Sequence, residues 1–311
     1  MSEEIFFASG GLKCAGDLYL PEGSPPEGGW PALVIGHGFS LVKSMLVAQG
    51  SYFRDAGFAV LAIDYRTFGN SEGEPRGQLF PLRMVEDYRN AISYMQARAD
   101  VNAERIGIWG TSFAGALSTY VAAVDRRVKA TVSQVPVTDG WNWMRLQRNR
   151  TDWEHLLDAI DADRDKRFAG EPGDRMPAVA APGEICGIPG DERIRDFFVD
   201  AKIIFPTWSD TLTLESVERI IEFSPLNMVD RISPRPYMIV TTSGYDIIHP
   251  ADTVADLYGR ARDPKCLEWL AYDQTGLYEE PGLTEANQVA TKFFKQHLMQ
   301  GLADQAQRAA E

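Results

Sequence analysis

Residues 106–115 read IGIWGTSFAG, an apolar strand pattern that runs into a serine among small residues. Ser112 stands two positions after Gly110 and three before Gly115. Where a strand turns sharply into a helix at such a serine, the hydroxyl is exposed, and small neighbours let the helix pass close to the strand. The stretch therefore predicts a nucleophile elbow with Ser112 at its tip.

Short apolar runs on both sides of this elbow predict a mostly parallel sheet. They are rich in β-forming residues and occupy positions 32–35, 59–63, 106–109, 128–135, 237–241 and 267–271. We expect them to be buried on both faces. Helical patterns separate several of the runs, and one has an apolar stripe made of Val85, Tyr88, Ile92 and Met95. Strands that alternate with helices are typical of an α/β fold with a central sheet flanked by helices.

One stretch is too long to be a simple connection between a strand and a helix. It covers residues 139–223, and we predict that it forms a mostly helical cap over a core made of residues 1–138 and 224–311. Its aromatic side chains either attach the cap to the core or line an apolar pocket. We take Trp141 and Trp143 as candidate substrate-binding residues.

Composition narrows the class of partner. The 311 residues carry 44 acidic and 31 basic side chains, a net charge of −13, which disfavours nucleic acid as a partner because phosphate binding needs clustered cations.

The acidic start lacks a secretory signal and no long apolar run suggests a membrane span, so we expect a cytoplasmic protein. Three dispersed cysteines, Cys14, Cys186 and Cys266, are interpreted as reduced. No metal-ligand or nucleotide motif is present, and we expect a cofactor-free mechanism with a small apolar or aromatic substrate. A homodimer is compatible with the aromatic cap.

The loop after residues 32–35 predicts half of an oxyanion hole. His37-Gly38-Phe39 follows that strand directly, so the backbone N–H of Phe39 points toward the top of the sheet. The second donor is the N–H of Phe113, directly after the predicted nucleophile. His37 itself is interpreted as a support for the loop.

Two further loops carry acidic residues. Residues 64–73 combine an aspartate and an arginine with several glycines, a composition typical of a self-bonded support. Asp246 comes shortly after the strand at 237–241, where an acid that orients a catalytic histidine belongs. A turn aspartate is the alternative interpretation.

The general base is less obvious. In the usual chain order a histidine follows the last strand, but here Leu277 stands near that position and is a candidate pocket residue instead. The chain has four histidines, His37, His155, His249 and His297. His249 is the best candidate because it comes three residues after Asp246 and reaches Ser112 if the loop bends back. His155, in the predicted cap, is the alternative.

The order of these features resembles the α/β-hydrolase superfamily, above all its dienelactone-hydrolase-like and X-Pro-dipeptidyl-peptidase-like branch, which includes esterases and polyketide-pathway hydrolases. The resemblance rests on residues 36–39, 64–73, 107–115 and 244–246. It implies Ser112 as nucleophile, Asp246 as acid and the N–H groups of Phe39 and Phe113 as oxyanion donors. The chain departs from the branch at Ala114, where many relatives have glycine, and at the replaced C-terminal histidine.

Three functions stay open on the sequence alone. The first is hydrolysis of an ester, thioester or lactone of a bulky apolar, polyketide-like compound, with an atypical triad of Ser112, Asp246 and His249. The second is a lyase, isomerase or cyclase that stabilises an enolate in the oxyanion hole, with Ser112, Tyr278 or Tyr245 moving protons. The third is binding of an unaltered ligand. We favour the first because the elbow and Asp246 are both well formed.

Overall fold

An eight-stranded sheet forms the centre of the computed structural model, which describes residues 2–273 and 275–300. The strands are β1 (Glu3–Ser9), β2 (Leu12–Tyr19), β3 (Trp30–Gly36), β4 (Ala59–Ile63), β5 (Val101–Thr111), β6 (Val128–Gln134), β7 (Arg175–Pro177), β8 (Val179–Ala180), β9 (Ile188–Pro189), β10 (Thr211–Thr213), β11 (Tyr237–Thr242) and β12 (Lys265–Leu270). The helices are α1 (Val47–Asp55), α2 (Pro81–Gln96), α3 (Phe113–Val124), α4 (Gly140–Leu146), α5 (Arg150–Phe168), α6 (Glu192–Ile204), α7 (Glu215–Ile221), α8 (Ala251–Arg260) and α9 (Gly282–Leu298).

The main sheet has the order β1-β2-β4-β3-β5-β6-β11-β12. Every neighbouring pair from β4 to β12 is parallel, whereas β1 and β2 join antiparallel. The predicted α/β fold with a mostly parallel sheet is confirmed. The antiparallel strands β1 and β2 had no counterpart among the six predicted runs.

Side chains of the central strands alternate between two cores. In β3, Leu33 and Ile35 pack with residues of α1 and α9, and Ala32 and Val34 pack with residues of α2, α3 and α8. This alternation follows from the two-residue period of a strand, which sends successive side chains to opposite faces. The apolar stripe predicted on α2 is buried.

The last strand of the sheet differs from expectation. β12 pairs only with β11 and forms the edge of the main sheet, and five of its six residues are at least partly exposed. It was expected to be buried on both faces. Apolar side chains alone do not distinguish an edge strand from a central one, because the neighbour that would cover it is set by the whole topology.

The long stretch between β6 and β11 lies outside the main sheet. It holds the helices α4 to α7 and four short strands, which pair as β10 with β7 and β8 with β9. It is tied back to the core where Leu79 donates its N–H to Ser216 Oγ at 2.9 Å and Thr213 donates to the Gly77 carbonyl at 3.1 Å. The boundaries 139 and 223 stay a prediction, and residues 301–311 of the predicted core lie outside the described residues.

A search of the described residues finds no helix that is both long and apolar enough to cross a bilayer. The same part of the chain contains no group of three or more histidine, cysteine, aspartate or glutamate side chains arranged to hold a metal ion.

Candidate active site

Ser112 occupies a strained turn between β5 and α3. Its φ is +55°, in the left-handed region that side chains other than glycine rarely adopt. A Cβ at Gly110 would lie 2.1 Å from the carbonyl oxygen of Ala114, and one at Gly115 would lie 2.9 Å from Cα of Pro136. The two glycines therefore allow the close strand and helix contact that the sequence predicted for this turn.

Gly110→Ala is expected to destabilise the protein by about 1–3 kcal/mol, because the added methyl group must push the α3 backbone away from β5. Gly259→Ala is the matched control. Gly259 lies in α8 with nothing within 4 Å of its would-be Cβ, and there alanine should stabilise the helix by about 0.5–1 kcal/mol. Chemical denaturation measures both. Equal stability of the two variants would contradict the close packing at the elbow.

Ser112, His249 and Asp246 form a continuous hydrogen-bonded chain. Ser112 Oγ lies 2.9 Å from Nε2 of His249, and Nδ1 of His249 lies 3.0 Å from Oδ2 of Asp246. The side chains of His249 and Asp246 are both 4 % exposed. The three side chains thus have the geometry and the order of contacts that a serine triad requires.

The loop after β11 bends back because Asp246 folds it. Oδ1 of Asp246 accepts hydrogen bonds from the backbone N–H of Ile248 at 3.0 Å and of His249 at 2.8 Å. Trp143 Nε1 donates to the carbonyl of Ile248 at 3.0 Å and fixes the loop from the other side. Burial raises the pKa of Asp246, but the charge of His249 and these hydrogen bonds outweigh it and hold the pKa below its usual range. Asp246 is therefore ionised at neutral pH and able to orient an imidazole.

The residues of the two predicted oxyanion donors lie close to Ser112. Phe113 is the first residue of α3, where helix N–H groups lack intrahelical partners. Gly38, just before Phe39, is so close that a Cβ there would lie 3.7 Å from Ser112 Oγ. Among the described residues no protein group accepts a hydrogen bond from the N–H of Phe39 or Phe113. Neither N–H group thus has an acceptor in the described part of the chain, and their role as oxyanion donors stays a prediction.

His37 lies at the base of this loop. Nδ1 of His37 is 3.0 Å from the carbonyl oxygen of Gly38, and Nε2 is 3.9 Å from Oδ1 of Asp64. Burial lowers the pKa of His37 to about 4, so the ring is neutral at pH 7. Asp64 in turn accepts the N–H groups of Lys43 and Asn70 at 2.7 and 2.9 Å. These bonds agree with the interpretation of both loops as supports.

An apolar cavity opens above Ser112. Its wall comes from residues 37–49, from the turn at residues 111–112, from the stretch between β6 and β11, from the loop after β11 and from the segment after β12. The apolar side chains that line it are Phe39, Leu41, Met45, Leu46, Ile188, Ile194, Phe197, Phe198 and Ile248. Four of these belong to residues 139–223, the stretch predicted to roof the site.

The cavity wall corrects the predicted pocket residues. Trp141 is 47 % exposed and packs on Trp153, and Trp143 packs behind the wall on the rings of Phe39 and Phe113. Leu277 is fully buried in the core that includes α9. None of the three lines the cavity, because aromatic and aliphatic character indicates burial but not which surface a side chain faces.

Thr275 and Tyr278 take the place expected for Leu277 in the wall. The hydroxyl of Tyr278 lies 2.8 Å from Oγ1 of Thr111. Burial raises the pKa of Tyr278 above its ordinary value. The sequence signalled this residue only as one of two tyrosines that could move protons; the other, Tyr245, is largely exposed.

The remaining histidines lie away from Ser112. His155 is exposed on α5. His297 is on α9, where its ring packs against Phe293 with a centroid distance of 4.6 Å. Of the two histidines considered as a base, the structure brings His249 and not His155 to the serine.

Comparison with known proteins agrees with this architecture. A family model described as X-Pro dipeptidyl-peptidase (S15 family) matches residues 10–174, more than half of the chain. The chain is 28 % identical over 275 residues to the thiohydrolase aneE of Aspergillus aculeatus, covering 86 % of this chain and 84 % of that protein. It is 31 % identical over 258 residues to the polyketide transferase ATR5 of Stachybotrys chlorohalonatus, covering 82 % and 83 %.

The crystal structure of the α/β hydrolase GrgF from Penicillium sp. sh18 superposes with a TM-score of 0.80 at 24 % identity, covering 96 % of this chain and 99 % of that one. That likeness confirms the fold. The family model and the identity to ATR5 go further and show that the chain belongs to the X-Pro dipeptidyl-peptidase (S15) family and is an enzyme of the α/β-hydrolase fold.

Proposed function

We propose that the enzyme hydrolyses a thioester or ester of a bulky apolar acyl group by a serine mechanism. The observation that carries this proposal is the pair of contacts at His249, 2.9 Å to Ser112 Oγ and 3.0 Å to Asp246 Oδ2. A serine hydroxyl is a weak nucleophile unless a positioned base takes its proton. The arrangement supplies that base and the acid that orients it.

In the first half of the reaction Ser112 Oγ attacks the acyl carbon while its proton passes to Nε2 of His249. The carbonyl electron pair moves onto oxygen, where the N–H groups of Phe39 and Phe113 receive the negative charge. Collapse of this intermediate expels the thiolate or alkoxide, which takes the proton from His249. Water then attacks the acyl-enzyme by the same steps, releases the carboxylic acid and restores Ser112.

The substrate class follows from the cavity and from the relatives. Nine apolar side chains line the space above Ser112, and binding there favours a large apolar acyl group. The printed names of two relatives, a thiohydrolase and a polyketide transferase, support a polyketide-like acyl group and favour a thioester over a lactone.

The two other functions considered from the sequence rested on the apparent lack of a base. A lyase, isomerase or cyclase needs no base beside Ser112, and neither does a ligand-binding protein. The position of His249 favours hydrolysis over both.

Intact-mass analysis after exposure to a fluorophosphonate tests the serine. We expect one adduct on the unmodified protein and none on Ser112→Ala, because only an activated serine reacts quickly. A second reaction in ¹⁸O-water with a decanoyl thioester should place one heavy oxygen in the released acid. The proposal would be contradicted if the wild-type protein formed no fluorophosphonate adduct. It would also be contradicted if the product had the same elemental composition as the substrate, with no oxygen from water.

A further inference from the structure

Gln49 is a buried polar side chain in the wall of the apolar cavity. It projects from α1, is 4 % exposed and lies beside Met45 and Leu46 in the lining. Its Oε1 has no hydrogen-bond partner. Throughout the part of the chain that the structure describes, no protein group forms a hydrogen bond with the amide of Gln49.

Each of the other polar side chains of the wall has at least one hydrogen-bond partner within the protein, although Nε2 of His37 has none. Ser112 contacts His249, and Thr111 contacts Tyr278 at 2.8 Å. Thr275 Oγ1 lies 3.3 Å from Oδ1 of Asp273, and Nδ1 of His37 lies 3.0 Å from the Gly38 carbonyl. Among the described residues of the wall, only Gln49 therefore presents an amide with its donors and its acceptor both unused.

A buried amide without a partner costs free energy that leucine or methionine at the same position would not. Buried polar groups in folded proteins are almost always hydrogen-bonded, to protein, water or ligand. Gln49 stabilises no neighbouring loop or helix through its side chain. A ligand is therefore the partner that its position in the wall indicates.

We propose that Gln49 is a specificity-determining residue that hydrogen-bonds an oxygen substituent, a hydroxyl or a ketone, on the acyl chain of the substrate. The proposal rests on the proposed function, since it assumes that the acyl group occupies this cavity. Among the described residues Gln49 forms no hydrogen bond with Ser112 or His249, whereas the reacting carbonyl is proposed to face the N–H groups beside Ser112. The group that Gln49 binds is consequently a second oxygen, away from the scissile bond.

Substrate discrimination tests this. The probes are the decanoyl thioester of N-acetylcysteamine and its monohydroxy and mono-oxo isomers, with the oxygen moved stepwise along the chain. We expect wild-type kcat/KM for the best isomer to exceed that of the plain thioester by about tenfold or more, because a site built to hydrogen-bond rejects the analogue that lacks the group. Gln49→Met should abolish this preference and raise kcat/KM for the plain thioester.

Met45→Leu is the matched control, since it alters the same wall without a polar atom and should change all the substrates alike. If Gln49→Met does not fold, Gln49→Leu replaces it. Equal kcat/KM for all the isomers in the wild type, or a preference that survives in the folded Gln49 variant, would overturn the inference. The first result would mean that water alone satisfies the amide, and the second that a group other than Gln49 recognises the oxygen.

A binding measurement separates this inference from the proposed function. Calorimetry on Ser112→Ala, with and without Gln49→Met, reports binding of the same thioesters when no turnover is possible. Tighter binding of an oxygenated isomer that depends on Gln49 supports the inference even if the wild type hydrolyses no thioester. Hydrolysis without any Gln49-dependent preference supports the proposed function and rejects the inference.

Discussion

Replacing His249 by alanine is expected to lower kcat for a decanoyl thioester by on the order of 10⁶-fold, as loss of the histidine does in a comparable serine triad. The physical reason is that Ser112 loses the imidazole nitrogen that lies 2.9 Å from its Oγ and can take its proton. The N–H groups of Phe39 and Phe113 stay in place, so a residual rate of roughly 10³–10⁴ over water should survive. Thiol release followed with a chromogenic disulfide measures both rates.

His155→Ala is the control for this variant. His155 is the other histidine that the sequence offered as a base, and because it is exposed on α5 its removal should leave kcat unchanged. Added imidazole should restore part of the rate of His249→Ala by occupying the vacated space beside Ser112. A wild-type rate in His249→Ala would remove His249 from the mechanism, and a large loss in His155→Ala would show that His155 contributes to catalysis.

The parts of the site that depend on local sequence were predictable. The turn at Ser112 requires small residues at fixed offsets, and Gly110 and Gly115 supply them in the quoted stretch. The loop at Gly38 follows directly from the end of β3. In both places neighbours along the chain determine the conformation, so a short motif was sufficient.

The contact between His249 and Ser112 depends on residues far apart in the sequence. The spacing from Asp246 made His249 the best candidate, but the loop also needs Trp143 to bind the carbonyl of Ile248, 105 residues further along the chain. The sequence could not show that this tryptophan faces the loop rather than the substrate. The same ambiguity explains why Trp143 was expected in the cavity wall.

The cavity wall was the least predictable part. Phe197 and Phe198 belong to α6, and their place in the wall depends on how the whole stretch between β6 and β11 folds. Gln49 gave no signal at all in the sequence, since a single glutamine in a helix is most often exposed. Its proposed role follows only from its position in the cavity wall and from the lack of a hydrogen-bond partner for its side-chain amide.

Asp246→Asn is expected to lower kcat by about 10⁴-fold, the effect that the same change has in a well-characterised serine triad. Oδ2 of Asp246 accepts a hydrogen bond from the N–H at Nδ1 of His249, which favours the tautomer whose Nε2 is free to accept from Ser112. An asparagine can place its NH₂ at that position, which favours the opposite tautomer and turns Nε2 into a donor. The kcat from steady-state kinetics and the rate of fluorophosphonate labelling should fall together.

The fold should survive this change, because the amide oxygen can still accept the N–H groups of Ile248 and His249 that shape the loop. Asp252→Asn, at an exposed carboxylate on α8, is the matched control and should keep the wild-type rate. Adding Asp246→Asn to His249→Ala should cost little more than His249→Ala alone, since the acid acts only through the imidazole. Additive losses in that double variant would instead give Asp246 a role independent of His249, and the three side chains would not be a triad.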